Sequence, residues 1–220
     1  MTIKRIVKSI PVLYKWSIYL RDFINLIRPN SKYKFSGGGV CYKTKIRVRG
    51  DNNSIIVGLG SSIRESSIVI NGNNNLIEVG ENCHIGRYTD ILIEGNNHLL
   101  KIGANSTFTE YVHLCLQEHN TKMILGVDSM LSNHIIIRTS DSHPIYKDGC
   151  RINYAADVIV GNHVWVCPNS TIMKGVSIGD NVIIASNAMV TSNVESNVMI
   201  GGIPAKVINR NCQWTREILW

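Results

Sequence analysis

One histidine stands in the least regular stretch of the sequence. His143 is followed by Pro144 within residues 138–157, RTSDSHPIYKDGCRINYAAD, where the repeating pattern of the chain breaks off. Loops carried by a rigid scaffold commonly hold functional side chains. Imidazole titrates near neutral pH, so a positioned histidine can take the proton of a hydroxyl that is a poor nucleophile by itself, an effect typically worth about 10²–10⁴ in rate. His143 is therefore the first candidate for a general base.

Three other side chains are candidates for a site with this histidine. Asp141 could orient the His143 ring, as a carboxylate does in a catalytic triad, or it could cap its own loop. His113 lies one coil earlier and could face an acceptor pocket. Trp165 departs from the hexad rule, because it places the largest side chain just before an inward-pointing Val166, and it could be a corner residue stacked on the next coil. The other histidines are interpreted as structural or solvent-facing, and because no histidine pair shows a metal-ligand spacing, no metal is expected.

The segments that must position these residues repeat along the chain. Aliphatic-glycine pairs recur at spacings of 22, 23 and 23 residues, at Val57-Gly58, Val79-Gly80, Ile102-Gly103 and Leu125-Gly126. A large apolar residue stands six and twelve positions after each pair, which gives Ile63, Val69, Ile85, Ile91, Phe108, Leu114, Leu131 and Ile137. Each unit therefore holds three hexads, and polar turns such as NGNNN supply the surplus residues in three of the units.

After residue 157 the period becomes a strict six. The aliphatic positions are Val160, Val166, Ile172, Ile178, Ile184 and Val190, and four residues after each of them stand Val164, Ser170, Val176, Val182, Ala188 and Val194. A period of six fits neither an α-helix nor a simple β alternation, but it fits a triangular coil of three short strands, stacked about 4.8 Å from the next coil. We therefore predict an all-β parallel β-helix of about six coils, whose ends need caps.

The first 49 residues differ from the rest in charge. They carry 12 Lys and Arg against one acidic residue, whereas residues 50–220 carry 11 basic and 15 acidic groups. Apolar residues at helical spacing before Pro29 predict one or two short amphipathic helices, which either lie on an anionic membrane surface or cover the open end of the β-helix. Because the positive charge is confined to this arm, the body is not expected to bind nucleic acid.

The chain length suits one well-filled domain with short extensions. We predict a basic helical arm over residues 1–49, a β-helix over residues 50–210 with a protruding loop at 139–157, and a C-terminal tail at 211–220. Charges and a proline interrupt the apolar residues near the N-terminus, so neither a cleavable signal nor a spanning helix is expected there. The six cysteines form no CxxC pair and are expected to be reduced. The expected location is the cytoplasm, with peripheral contact at the inner face of the membrane if the arm binds lipid.

Three short motifs are more specific than the hexads. They are Ser140-Asp141-Ser142-His143-Pro144-Ile145, Val160-Gly161-Asn162-His163-Val164-Trp165-Val166 and Gly201-Gly202-Ile203-Pro204-Ala205-Lys206-Val207-Ile208. With them, roughly residues 57–210 resemble the hexapeptide-repeat acyltransferases, in particular the branch of maltose, galactoside and capsule or exopolysaccharide O-acetyltransferases. This resemblance implies a left-handed coil, a homotrimer with active sites between adjacent subunits, and acetyl-CoA as the donor. It gives His143 the role of general base, and it places Trp165 beside the pantetheine or the acceptor.

The resemblance also implies where the donor binds. Pantetheine would lie along a coil edge lined by Ala185, Ser186 and Thr191. Lys206 and Arg210 would make charge-assisted contacts with the phosphates of CoA. Ser192 stands where relatives often carry a basic residue after the threonine, so one phosphate contact of the family is not expected here.

The first hypothesis for the function is acetyl transfer to a hydroxyl of a capsular, lipopolysaccharide or exopolysaccharide unit, or of its sugar precursor. No covalent enzyme intermediate is needed, because the thioester is already activated. The alternative is an N-acetyltransferase acting on a nucleotide-linked amino sugar or an antibiotic, which would use the same donor and base. A third hypothesis is a non-catalytic β-helix that binds or scaffolds, and in that case His143 would be dispensable.

Overall fold

Short β-strands stacked into a prism make up the described part of the chain. The computed structural model describes residues 33–220, and the helices predicted before Pro29 lie outside this range. Within it there are 25 strands and no α-helix, which confirms the all-β prediction. No element of residues 33–220 is a helix of the length and hydrophobicity that a membrane crossing requires.

The strands follow one another coil by coil. The first coil contains β1 (Tyr33–Ser36), β2 (Val40–Tyr42) and β3 (Lys45–Arg49). The second contains β4 (Asn53–Val57), β5 (Ser62–Arg64) and β6 (Ser67–Asn71), and the third contains β7 (Leu76–Val79), β8 (His84–Arg87) and β9 (Asp90–Asn96). The fourth contains β10 (Leu99–Ile102), β11 (Thr107–Glu110) and β12 (His113–His119), and the fifth contains β13 (Lys122–Leu125), β14 (Met130–Leu131) and β15 (Ile136–Arg138).

A hairpin then interrupts the coils. It consists of β16 (Tyr146–Lys147) and β17 (Cys150–Arg151). The sixth coil contains β18 (Val158–Val160), β19 (Trp165–Val166) and β20 (Thr171–Ile172), and the seventh contains β21 (Ser177–Ile178), β22 (Ile183–Ile184) and β23 (Met189–Val190). The last strands are β24 (Val198–Gly202) and β25 (Ala205–Arg210).

Three sheets form the faces of the prism, because each coil adds one parallel strand to each face. Sheet A has the order β1-β4-β7-β10-β13-β18-β21, sheet B the order β2-β5-β8-β11-β14-β19-β22-β24-β25, and sheet C the order β3-β6-β9-β12-β15-β20-β23. Only β25 runs antiparallel to its neighbour in these sheets. The chain passes from sheet A to sheet B to sheet C and back, and we call the turns between them the A–B, B–C and C–A corners.

The interior is a continuous column of aliphatic side chains. All six aliphatic positions of the strict hexads are at most 3% exposed, as predicted, and burial of such a side chain stabilises the fold by about 1.5–3 kcal/mol. The small residues four places later fill the space beside them, and Ser170 and Ala188 are both buried. The regular period therefore reflects one inward position per strand.

The prediction that Val69 points inward was wrong. In β6 the neighbours Ile68 and Ile70 point inward, and Val69 faces outward. The B–C turn of the second coil is one residue shorter than those that follow, so Ile63 and Ile68 are the successive inward positions. The inward positions were predicted at a constant interval of six residues from Val57, and this interval does not hold across the shorter turn.

The predicted boundary between arm and β-helix at residue 50 lies one coil too late. Residues 33–49 form the first coil, with Ile46 and Val48 of β3 packed against the core. The basic residues Lys45, Arg47 and Arg49 take the alternate, outward positions of the same strand. Charge marked this segment as different from the body, but a strand needs only every second residue to be apolar.

The polar turns at the C–A corner bond to one another from coil to coil. Asn74 Nδ2 donates to Asn97 Oδ1 over 3.2 Å, and Asn97 Nδ2 donates to Asn120 Oδ1 over 2.9 Å. All three residues have positive φ, a conformation that asparagine tolerates better than most residues. These turns therefore form a structural ladder along one edge of the prism.

Candidate active site

The loop at residues 139–157 leaves the prism at the C–A corner, between β15 and β18. It carries the β16–β17 hairpin, in which Tyr146 pairs with Arg151. His143 precedes the hairpin and is exposed. Its imidazole has no hydrogen-bond or ion-pair partner among residues 33–220, so both ring nitrogens are free to meet a group from outside this chain.

Asn153 fixes the backbone at His143 and Ile145 and also the carboxylate of Asp141. Its Nδ2 donates to the backbone oxygen of His143 over 2.9 Å and to Asp141 Oδ2 over 2.9 Å. Its Oδ1 accepts from the backbone N–H of Ile145 over 2.6 Å, and the residue is 8% exposed. Asn153 is not recognisable from the sequence, because one asparagine in a polar loop carries no distinguishing pattern.

Asp141 does not orient the ring of His143. Its Oδ2 lies 2.6 Å from Lys174 Nζ and also accepts from Asn153. Burial alone would raise the pKa of Asp141, but the hydrogen bonds from Lys174 and Asn153 outweigh it and lower the pKa below its usual value. Because these two donors bind the carboxylate, Asp141 anchors its loop, and the predicted contact with the His143 ring is not formed.

A second group of contacts ties the loop to β12. Arg151 Nη2 lies 2.7 Å from Glu118 Oε1, to which Ser140 Oγ also donates over 2.8 Å. Ser142 Oγ donates to Gln117 Oε1 over 2.6 Å. Burial alone would raise the pKa of Glu118, but the bonds from Arg151 and Ser140 outweigh it and lower the pKa. These contacts therefore hold the loop near both of its ends, and His143 projects from a segment that is held in place.

His113 lies on the outer surface of sheet C, in register between Asp90 and Ile136 of the neighbouring strands. Its Nδ1 is 3.0 Å from Asp90 Oδ2. A carboxylate only accepts, so Nδ1 is the donor in this bond, and Nε2 has no partner among residues 33–220. His113 can therefore accept a hydrogen bond from a bound hydroxyl.

Trp165 projects outward from sheet B and is packed by the C-terminal tail. The ring of Trp214 lies 6.0 Å from that of Trp165 and stacks on His163 at 4.1 Å. Trp214 Nε1 donates to the backbone oxygen of His163 over 2.9 Å, and Arg216 Nε donates to Asp128 Oδ1 over 2.6 Å. The C-terminal tail thus lies along the side of the prism, against residues of earlier coils.

The residues predicted to bind the donor lie near the C-terminal end of the prism. Ala185 and Ser186 occupy the B–C corner between β22 and β23, and the Ala185 N–H donates to the backbone oxygen of Ile200. Thr191 directly follows β23 and is exposed. Ala185 is therefore next to β24, whereas Thr191 lies at the other end of β23, at the C–A corner.

The two basic residues of β25 have different surroundings. Lys206 lines a cleft of about 250 Å³ between residues 192–195 and β25. Arg210, at the far end of the same strand, is ion-paired with Glu195. Lys206 is thus the better placed of the two to bind a phosphate, since Arg210 already has an anionic partner.

A single chain does not bring all of these residues together. The His143 loop leaves the C–A corner, whereas Trp165 lies on sheet B, the face opposite that corner. His113 is on the third face, sheet C. Among residues 33–220, no three His, Cys, Asp or Glu side chains are grouped so that they would hold a metal ion. Within one chain, His143 and Trp165 therefore lie on different sides of the prism.

Comparisons with known proteins agree with this architecture. The family described as bacterial transferase hexapeptide (six repeats) matches residues 157–192. The chain is 35% identical over 148 residues to a polysialic acid O-acetyltransferase from Neisseria meningitidis, and the aligned region covers 66% of this chain and 67% of the relative. This chain belongs to the bacterial hexapeptide-repeat transferases.

Within that family, the similarity extends to proteins that act on one acidic polysaccharide. The crystal structure of the polySia-specific acetyltransferase NeuO superposes with a TM-score of 0.75 at 30% identity, over 84% of this chain and 83% of that one. The fold is thus a left-handed parallel β-helix. A polysialic acid O-acetyltransferase from Escherichia coli O1:K1 is 39% identical over 89 residues, 40% of this chain, and the match spans only 29% of that relative.

Proposed function

We propose that this protein transfers an acetyl group from acetyl-CoA to a hydroxyl of a cell-surface polysaccharide or of its sugar precursor, with His143 as the general base. The observation that carries the proposal is the exposed imidazole of His143, which has no partner among the described residues, on a loop whose backbone Asn153 fixes at His143 and Ile145. The names of the polysialic acid O-acetyltransferase relatives support the acceptor class.

The chemistry needs only one proton carrier. A ring nitrogen of His143 takes the proton of the acceptor hydroxyl as the oxygen attacks the thioester carbonyl carbon. The carbon–sulfur bond then breaks, and the imidazolium returns the proton to the sulfur of CoA. The Nε2 of His113, whose ring Asp90 holds through Nδ1, would accept a hydrogen bond from a second hydroxyl of the acceptor and so help to orient it.

The donor would lie along the B–C corner of the last two coils. Ala185 and Ser186 line this edge, so the amides of pantetheine can bond to exposed backbone groups there. Thr191 and Lys206 lie near the end of the prism, where Lys206 would contact a phosphate of CoA. Arg210 would contribute less, because Glu195 already neutralises it.

A homotrimer would complete the site. The loop exposes four large apolar side chains, Ile145, Tyr146, Ile152 and Tyr154, each more than half exposed. Apolar surface of this kind next to a functional group is typical of an interaction site. A neighbouring subunit would cover it and would bring its own Trp165 to His143. Mixing His143→Ala subunits with Trp165→Ala subunits should then restore part of the activity that each variant lacks, whereas sites within one chain would show no restoration.

The decisive test uses isotopically labelled acetyl-CoA with a panel of bacterial glycans and amino sugars, followed by mass spectrometry. His143→Ala should lower turnover at least about 100-fold without loss of thermal stability or CoA affinity. His84→Ala, a change of another exposed histidine in the described coils, is the matched control and should retain turnover. Turnover retained in His143→Ala would refute the proposed base, and a product stable to mild alkali would indicate N-acetylation instead of an ester.

The location that we propose is the cytoplasm, with the basic arm at the inner face of the membrane. Support comes from the charge of residues 1–49, of which Lys45, Arg47 and Arg49 project outward from β3. The arm should make the protein co-sediment with anionic vesicles at low salt and not with neutral ones. Equal sedimentation with both would contradict the membrane contact.

A further inference from the structure

Unusual residues occupy the left-handed turn positions of one corner. Elsewhere these positions are mainly asparagine, as at Asn82 and Asn105, but three successive coils of the B–C corner place Tyr88, Tyr111 and His134 there, with φ of 57°, 54° and 57°. A bulky side chain in this conformation is disfavoured relative to asparagine. Three coils in a row thus retain a ring where the backbone favours a smaller residue, and such outliers are reason to look for a function.

These three side chains form a continuous stack, which we call the aromatic ladder. The ring centroids of Tyr88 and Tyr111 are 4.8 Å apart with a 23° interplanar angle, and those of Tyr111 and His134 are 4.9 Å apart with a 15° angle. Tyr88 is 50% exposed and Tyr111 is 45% exposed. Because the ring faces stack on one another from coil to coil, the exposed part of these side chains is mainly their edges.

The fold itself does not require rings at this corner. In the next two coils the equivalent turn positions are Asn169 and Asn187, which have φ of 61° each. The coils stack there without aromatic residues. The ladder is therefore a local feature of the third to fifth coils.

The ladder lies on a line between two parts of the proposed site. The B–C corner that carries it continues through Asn169 to Ala185, where the donor would lie. Tyr111 is also two residues before His113, whose Nδ1 is held by Asp90. An acceptor sugar beside His113 would therefore lie against the ladder.

We propose that the aromatic ladder binds the acceptor glycan as an extended chain of sugars. The inference rests on the proposed function and specifies its substrate as a polymer instead of a single sugar precursor. The exposed part of each tyrosine offers a ring edge to the C–H groups of a sugar and a hydroxyl to its polar groups, at low conformational cost. Three coils span about 10 Å along the prism, which is longer than one sugar ring. The ladder thus provides binding for units beyond the one that is acetylated.

The test replaces the rings by the residue that the same corner uses in later coils. A Tyr88→Asn/Tyr111→Asn variant keeps a side chain suited to the left-handed turn, so the fold should persist. The probes are polysialic acid chains and the sialic acid dimer, with acetyl-CoA as donor. The ratio of kcat/KM for the long chain to that for the dimer should fall about tenfold, the loss expected for two aromatic contacts. Tyr111→Phe, which keeps the ring, should lose less.

Leu59→Asn is the matched control, because it removes an exposed apolar side chain from the A–B corner. It should leave the ratio unchanged. An unchanged ratio in the double variant would overturn the inference while leaving the proposed function intact, and so would an equal loss for chain and dimer. Loss of subunit assembly in the double variant would identify the ladder as a subunit contact and overturn it as well. Wild-type protein that binds acetyl-CoA but acetylates neither probe would contradict the polysialic acid acceptor class and remove the basis of the inference.

Discussion

Replacement of Asn153 by alanine should release His143 from its position while the prism stays folded. The change removes one hydrogen bond to the carboxylate of Asp141 and two to the backbone of His143 and Ile145. A bond to a charged group contributes about 1.5–3 kcal/mol and a neutral one about 0.5–1.5 kcal/mol, so the loop should lose about 3 kcal/mol of ordering free energy. The coils keep their own contacts, because these bonds all lie within residues 141–153.

The effect on catalysis follows from the same loss of ordering free energy. A tenfold change corresponds to about 1.4 kcal/mol, so the full loss would equal about a hundredfold fall in the population with His143 in place. The Lys174 contact with Asp141 and the Arg151 contact with Glu118 remain and will keep part of the order. We therefore expect kcat to fall between about 10-fold and 100-fold, with little change in KM for acetyl-CoA.

Steady-state kinetics measure the fall in kcat, thermal unfolding measures the stability of the prism, and hydrogen exchange of residues 141–153 measures the order of the loop. Exchange in the loop should accelerate while that in β12 and β15 stays slow. Lys147→Ala, at the exposed tip of the same hairpin, is the control and should behave as the wild type. Unchanged kcat with faster loop exchange would show that the position of His143 does not limit the reaction, and a fall in melting temperature that accounts for the activity loss would refute a local role.

Three further outcomes can be measured on the same protein. Trp214→Ala should lower the free energy of unfolding by about 3–5 kcal/mol, because the ring is 6% exposed, whereas Trp220→Ala should change it by less than about 0.5 kcal/mol; equal effects in denaturant titrations would show that the tail is not docked. Burial lowers the pKa of His98 from 6.5, so as the pH falls the unfolded chain is protonated at His98 before the folded protein is. The contribution of neutral His98 to stability is therefore complete above pH 6.5 and is lost as the pH falls toward the lower pKa of the folded state. Unfolding titrations across that range would refute this if His98→Gln showed the same pH slope as the wild type. Iodoacetamide should label exposed Cys150 well before Cys115, whose pKa burial raises to about 11, and early labelling of Cys115 in mass spectra would contradict the structure.

The hexads made most of the fold predictable. In residues 157–190 each strand contributes one inward aliphatic residue at a constant interval, so the sequence states the period directly, and all six predicted positions are buried. The prediction failed where turn lengths vary, as at Val69, because an inserted or missing residue shifts the phase without changing composition. It also failed for β3, where basic residues in outward positions hid an inward pair of aliphatic residues.

The sequence likewise indicated some features of the candidate site and left others open. His143 became a candidate from the sequence, since a loop that interrupts a strict period is visible in one dimension, and its role as the base stays a prediction. The sequence left two roles open for Asp141, because a carboxylate two residues from a histidine can contact either the ring or other groups, such as Lys174, 33 positions later in the chain. Only the folded coils decide which donor is nearer.

The sequence by itself determined the period, the direction of the aliphatic side chains and the place where the coil is interrupted, because these depend on local spacing along the chain. The tertiary structure decided what lies side by side across coils. Asn153 meets the backbone of His143, Trp214 meets Trp165, and Tyr88 stacks on Tyr111 through contacts between residues that are 10 to 49 positions apart. Stacking brings every coil to within about 4.8 Å of the next, and so joins side chains whose separation in the sequence carries no pattern.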